Sequence, residues 1–279
     1  MLWIVIPVHN RLDFTRQCLV CLKEQTSSDF KVVVINDGST DETERVIREE
    51  FPEIIILTGD GTLFWTAAVN MGIKFALEHG ATRVLTLNND TLPATDFVEK
   101  MIFWSDEKPD AILCSLEFDV NTGEPCYGGE IVNWTWATSR YLLDFLKEEE
   151  QTGLNAVSLA SGRGLLVPRN VFQSIGLFDE RHLPHYLADF DFTCRAKRRG
   201  FEIFCNYDAK LFVYVDESGD KQILREKNFK NYYNHLFGIK GAGNLKNFSI
   251  YTVRNSPIFM IPFQLLIGYT KRILNYLYR

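Results

Sequence analysis

Five short apolar runs punctuate the first 117 residues, and amphipathic stretches of helical period separate them. Residues 2–8 are almost continuously apolar, which predicts a strand buried on both faces. Residues 13–25 carry a helical period behind an acid, and 31–35 form a second apolar strand. Ser39, Thr40 and Asp41 offer N-caps to a helix ending near Phe51. A third strand over 53–57, a helix over 66–78 stopped by Gly80, a fourth strand over 83–87, a helix over 93–104 and a fifth strand over 111–117 complete the alternation. Strands spaced by helices predict βαβ crossovers, hence an α/β fold with a mostly parallel central sheet flanked by helices. Sheets of this kind bind ligands beyond the carboxyl ends of their strands. Polar clusters stand there: Pro7-Val8-His9-Asn10, Asn36-Asp37-Gly38-Ser39, Gly59-Asp60-Gly61 and Asn88-Asn89-Asp90.

Beyond residue 118 the pattern loosens, then tightens into a strand over 158–167 and helices over 170–175 and 189–200. No repeat and no Pro/Gly linker divides the chain. The reading is one composite domain over 1–226, with halves at 1–117 and 118–226, and a helical tail over 227–279.

Charge sets the tail apart. Residues 1–226 hold 22 Lys/Arg and all 36 Asp/Glu, whereas residues 227–279 hold 8 Lys/Arg and no acid. The whole chain, at −6 and pI ≈ 5.5, does not have the profile of a dedicated nucleic-acid binder. Within the tail, the 13 residues 257–269 are apolar apart from Gln264, short of the ~17–25 residues that span a bilayer. Flanking Arg254, Lys271, Arg272 and Arg279, with Tyr269, Tyr276 and Tyr278, predict an interfacial anchor against anionic lipid. The alternative is a helix packed on the body or on a partner copy. The opening residues MLWIVIPVHNR lack a basic n-region and a cleavage site, so the expectation is a cytoplasmic protein, peripheral at the inner face of the cell membrane. Cys18 and Cys21 form a C-x-x-C, but they share a helix face with Phe14 and Leu22, which favours core packing over redox or zinc chemistry.

Asp37, at the end of the second strand, either accepts hydrogen bonds from a base or ribose, or shapes its own turn. Asp90, flanked by amide oxygens, offers a hard ligand for Mg²⁺ or Mn²⁺ beside substrate phosphates, or else caps a turn. There is no G-x-x-x-x-G-K-[ST], and no G-x-G-x-x-G follows the first strand, which argues against a P-loop enzyme and a dinucleotide oxidoreductase.

Taken together, VIPVHNR, VVVINDGST, Asn70-x-Gly72, LTLNND and YLADFDFTCRAKRRGF resemble, in order and spacing, glycosyltransferase family 2 over residues 1–216. Within it, GDGTLFWTAAVNMGI and PHYLADFDF are most similar to bacterial rhamnosyltransferase-like enzymes of surface-polysaccharide synthesis. The resemblance implies a GT-A fold, inversion, a Mn²⁺ or Mg²⁺ ion, a nucleotide-sugar donor and a saccharide or lipid-linked acceptor. It places Pro7, Val8, Asp37, Asn88, Asn89 and Asp90 at the donor, Asp90 also at the metal, and Asp189 as the base. Two departures stand out: Asn88 replaces the first acid of the family's Asp-x-Asp, and Ala188 replaces the Glu before the base. The late metal-binding His is missing, with Asp216 near its position.

An inverting transfer needs a base to take the acceptor hydroxyl proton as that oxygen attacks, and an ionised Asp suits this. On the acceptor side, Trp65 would stack on a sugar or pack, Gly162 would let backbone approach, Arg163 would reach a phosphate, and His185 would touch substrate or satisfy local bonds. Asp191 is placed with them on the acceptor side as a support, fixing Arg195 at i+4. The rival readings are a nucleotidyltransferase on a similar sheet and a catalytically inactive sugar-nucleotide-binding module.

Overall fold

The computed structural model describes residues 1–217 and 227–278. The expected junction at residue 226, and Arg279, lie outside the described residues. A ten-stranded sheet forms the centre, its main path running β10-β12-β6-β11-β4-β1-β2-β3. The strands on this path are β1 (Leu2–Val8), β2 (Phe30–Asp37), β3 (Ile55–Gly59), β4 (Arg83–Thr86), β6 (Ile112–Asp119), β10 (Leu154–Ala156), β11 (Leu165–Pro168) and β12 (Ile203–Val213). Short strands β5 (Thr91–Pro93) and β7 (Pro125–Tyr127) pair with β12 and β6, and β8 (Glu130–Asn133) with β9 (Thr138–Tyr141) forms a separate hairpin.

The first half matches the βαβ reading: β4, β1, β2 and β3 are mutually parallel neighbours. The second half does not continue it. Strand β11 runs antiparallel between β4 and β6, so the sheet as a whole is mixed. The strand expected over 158–167 shrinks to β11, because Ser161-Gly162-Arg163-Gly164 loops out instead of pairing.

Helices cover both faces: α1 (Leu12–Lys23), α2 (Thr43–Glu50) and α4 (Phe97–Glu107) on one, α3 (Phe64–Glu78), α5 (Arg169–Ile175) and α6 (Ala188–Arg198) on the other. The pleat of β1 divides them. Leu2, Ile4, Ile6 and Val8 enter the core with Cys18, Leu19, Ile47 and Met101, while Trp3 and Val5 enter the one with Val69, Ile73, Val171 and Phe192. All six cysteines are free thiols, and Cys18 is core, its thiol pushed up to about 12 by burial.

Two boundaries differ from expectation for local reasons. The helix expected from Pro93 starts at Phe97; Pro93 instead ends β5, paired with Leu211 at a short strand that tolerates the missing N–H. Ser39 and Thr40 do not cap α2. Ser39 Oγ accepts from Asn10 N (3.0 Å) and Thr40 N donates to Asn10 Oδ1 (2.6 Å), tying the loop after β2 to the loop after β1.

The tail is packed on the body. It comprises α7 (Phe229–Phe237), α8 (Leu245–Asn255) and α9 (Ile261–Tyr278). Arg254 pairs with Asp179 at 2.5 Å, Asn255 Nδ2 donates to Asp191 (3.0 Å), and Tyr251 packs with Leu159 and Cys194. Gln264, the one polar residue in the apolar run, is buried and donates to the Trp134 carbonyl. Arg254 is therefore a clamp rather than a free flank of an anchor. The opposite face of the tail is open: Ile258 and Phe259 are 83% and 78% exposed, and Leu266 is also exposed. No described helix is long and apolar enough to cross a membrane.

Candidate active site

A cavity of about 880 Å³ opens where the strands end. Its wall gathers Pro7 and Val8 at the end of β1, Arg11 after it, Asp37 at the end of β2, Trp65 on α3, Asn88, Asn89 and Asp90 after β4, and Gly162 and Arg163 before β11. His185 and Asp189 from the start of α6, Glu217 after β12, and Asn231 and Lys240 from the tail complete it. Four described non-glycine residues have positive φ; Asn10 (51°) and Phe64 (53°) line this cavity, and Leu187 (69°) follows Tyr186, which also lines it. Such conformations persist only where surrounding contacts enforce them. Leu187 immediately precedes the first turn of α6, the turn that carries Asp189.

The Asp189 carboxylate is held at both oxygens. Oδ2 accepts from Gly162 N (2.8 Å) and Oδ1 from its neighbour Phe190 N (2.9 Å). Burial raises its pKa above the usual carboxylate value, with those two amides opposing the shift. An aspartate made more basic without losing its orientation suits a proton acceptor. Gly162 is glycine for packing: a Cβ there would stand 2.6 Å from the Trp65 ring. That indole is turned to the body, its Nε1 donating to Asn88 Oδ1 (2.8 Å) and its ring edge-on to Phe178 at 5.5 Å. Trp65 thus forms a floor under the cavity, and Asn88, in place of an acid, accepts its N–H.

The remaining expected residues divide. Asp37 lines the cavity, yet Oδ1 accepts from Gly61 N (2.8 Å) and Oδ2 from Leu63 N (3.1 Å), so its carboxylate organises the loop before α3. Gly38 permits that approach; a Cβ would meet Gly61 N at 2.7 Å. Asn89 turns its amide inward to Thr15 Oγ1 (2.9 Å). Asp191 is fully buried outside the cavity, where it holds Arg195 at 3.0 Å as the i+4 spacing implied; its acceptor-side placement is corrected accordingly. Asp216, the expected second metal acid, is exposed on the turn Val215–Glu217 and does not line the cavity, whereas its neighbour Glu217 does. His185 keeps a buried Nδ1 with no hydrogen-bond partner among the described residues, and burial, then Lys240, lowers its pKa to about 4. It is a neutral imidazole at the cavity wall.

Sequence reasoning missed Glu117, Arg11, Glu217 and Lys240. Glu117 is fully buried in β6 and meets Arg163 Nη2 at 2.7 Å. Burial raises its pKa to about 7 against the pull of Arg163. A lone acid in the apolar run ILCSLEF was the available signal. Arg11 and Glu217 each follow a strand end and fell under the same rule as Asp37 and Asp90; Lys240 had no local signal.

Among the described residues, no three His, Cys, Asp or Glu side chains converge to hold a metal by themselves. Asp90 nevertheless presents a hard carboxylate at the wall. Mg²⁺ and Mn²⁺ commonly use one or two carboxylates and take their other ligands from water and substrate phosphates. The residues fit an ion that shares its ligands with a diphosphate, not one caged by protein.

A mixed sheet covered by helices, with a cavity across the carboxyl ends of its first strands, is the architecture of GT-A-type enzymes. Solved structures agree: GalNAc-T7 with UDP, GalNAc and Mn²⁺ superposes with TM-score 0.64 at 13% identity, covering 100% of this chain and 56% of that one. TarS of S. aureus in complex with UDP gives TM-score 0.59 at 15% identity over 99% and 90%. The profile described as Glycosyl transferase family 2 matches residues 3–176, and the chain belongs to that family. Relatives include an uncharacterized glycosyltransferase, RP339, of Rickettsia prowazekii, 28% identical over 67% of this chain and 56% of its own length. Glycosyltransferase AglE of Haloferax volcanii is 22% identical over 98% and 83%. The chain thus spans little more than half of the rickettsial relative.

Proposed function

We propose that this protein transfers a sugar, with inversion, from a nucleotide-diphosphate donor to a hydroxyl of a saccharide or lipid-linked acceptor. The observation that carries the reading is the pairing, in one cavity, of an oriented and more basic Asp189 with the Asp90 cluster after β4. The donor lies along Pro7, Val8, Asn88 and Asp90, with Asp37 holding the loop beside it. Asp189 accepts the acceptor proton as the hydroxyl oxygen attacks the anomeric carbon, and the diphosphate leaves on the Asp90 side. A Mn²⁺ or Mg²⁺ ion on Asp90 would supply charge stabilisation to that leaving group. Arg163, fixed by Glu117, holds negative charge on the acceptor, and neutral His185 offers it a hydrogen bond. A Myxococcus xanthus relative named O-antigen biosynthesis protein RfbC, 23% identical over 81% of this chain and 18% of its own length, supports a surface-polysaccharide acceptor.

The tail supports a peripheral membrane location. Ile258, Phe259 and Leu266 are exposed within a segment, 227–279, whose sequence holds eight basic residues and no acid. The test is a panel of nucleotide sugars screened by thermal shift with Mn²⁺, followed by transfer assays with the stabilising donor. One donor should raise the melting temperature and be consumed. Stabilisation without turnover or slow hydrolysis would favour the inactive binding module, and no stabilisation by any donor would remove the transferase reading.

A further inference from the structure

We propose that Arg11 is the resident counter-ion of Asp90, and that it admits a divalent cation to that carboxylate only together with a diphosphate. The diphosphate half rests on the donor reading above; the cation half rests on geometry alone. Arg11 Nη1 donates to Asp90 Oδ2 at 2.7 Å, and the guanidinium stands at the cavity wall. On its far side Nη2 donates to the Glu217 carbonyl oxygen at 3.3 Å and lies 3.6 Å from Glu217 Oε2. Beneath it, the Phe14 ring lies 4.7 Å from the guanidinium carbon. Phe14 is set in turn by Tyr214 at 5.0 Å, whose hydroxyl donates to Gln17.

The two ends of this ion pair are also joined through the backbone. Asn89 Nδ2 donates to Thr15 Oγ1 (2.9 Å), and that hydroxyl donates to the Arg11 carbonyl (2.8 Å). The residue beside Asp90 is therefore coupled to Arg11 by a second path, independent of charge. A cradle of this kind distinguishes the pair from a surface ion pair formed by two free side chains.

The consequence is electrostatic. A divalent cation approaching Asp90 alone meets a guanidinium already in contact with the carboxylate, and like charges at such distances repel strongly in a half-buried setting. A diphosphate changes the balance. Arg presents several N–H donors in a planar fork suited to phosphate oxygens. From the same cradle it can turn donors to the diphosphate and release Asp90 to the ion. Arg11 is thus a positioning residue that orders binding: cation and donor enter together, and the cation alone is kept out.

The experiment is Mn²⁺ binding by the full chain, read from loss of the free-ion EPR signal, with Mn²⁺ alone and then with inorganic pyrophosphate. Native protein should bind Mn²⁺ weakly alone and on the order of tenfold more tightly with pyrophosphate. Arg11→Gln should bind Mn²⁺ alone on the order of tenfold more tightly than native, and lose most of the gain from pyrophosphate. Arg11→Lys, which keeps the charge, should resemble native in the Mn²⁺-alone arm. Arg11→Met, with a stem that still covers Phe14, replaces the Gln variant if that one fails to melt cooperatively. Equal Mn²⁺ affinity of native and charge-neutral variants overturns the proposal. So does equal tightening by pyrophosphate in both. The Mn²⁺-alone comparison needs no sugar transfer, so its failure and the failure of the transferase reading are separate results.

Discussion

The two ends of the cavity are built on different principles. At the end proposed for the donor, Pro7 and Asp37 lie in the last residues of β1 and β2 and Asp90 lies past β4, all in the parallel set β4-β1-β2-β3, so their spacing follows from that of the strands. At the end proposed for the acceptor, the lining residues come from loops, a helix start and the tail. Asp189 is oriented by an amide 27 residues earlier, Arg163 is held by Glu117, and Lys240 arrives from the tail. A parallel sheet makes one end generic, and irregular loops make the other particular.

The largest effect expected on that contrast is from Asp189→Asn, which keeps shape and removes the proton acceptor. Transfer should fall by about 10²–10⁴-fold while donor affinity stays within about twofold; an equal loss of donor affinity would erase the distinction between the ends. Next, Asp90→Ala should weaken Mn²⁺-supported donor binding by about 10–100-fold, by analogy with other ligand-shell losses. The melting profile should stay cooperative, since the carboxylate lies in the cavity wall.

Glu117→Gln probes the acceptor end through pH. The folded pKa of about 7 lies above the ordinary value of 4.5, so protonation favours the folded state between these limits. The stability this group contributes is full below about 4.5 and is lost as pH rises through about 7. The native melting temperature should therefore drop, relative to the Gln variant, by a few degrees between pH 5 and 8. A constant difference across that range would mean that Glu117 stays ionised throughout. The smallest effect concerns the tail. Replacing Ile258 and Phe259 with Glu should reduce co-sedimentation with anionic vesicles by about tenfold without moving the melting temperature. Arg254→Ala should do the reverse, leaving vesicle binding nearly intact while costing about 0.5–1 kcal/mol of stability.

What was legible in the sequence follows the same line. Strands β1, β2 and β4 could be read because burial on both faces writes a continuous apolar run, with cavity-lining residues at or just after its end, whereas the edge strand β3 is only half-buried. Asp37 and Asn89 line the cavity, but the partners of their side chains, Gly61, Leu63 and Thr15, are set by tertiary contacts with no local pattern. The antiparallel insertion of β11 was illegible because four apolar residues do not encode direction. Gln264 interrupts the apolar run at 257–269 because its amide reaches the Trp134 carbonyl, a contact 130 residues away in sequence.

Helix α3 has a consequence for how such enzymes diversify. Thr66 Oγ1 donates to the Leu183 carbonyl (2.7 Å), Thr66 N to the Pro184 carbonyl (3.1 Å), and Asn70 exchanges hydrogen bonds with both the N–H and the carbonyl of Phe178. The helix that carries Trp65 is stitched to the segment that leads into His185 and Asp189. These two stretches, more than 100 residues apart, form one inheritable unit. A chimera that exchanges residues 59–72 between relatives without residues 177–189 breaks the seam, whereas one that moves both together preserves it.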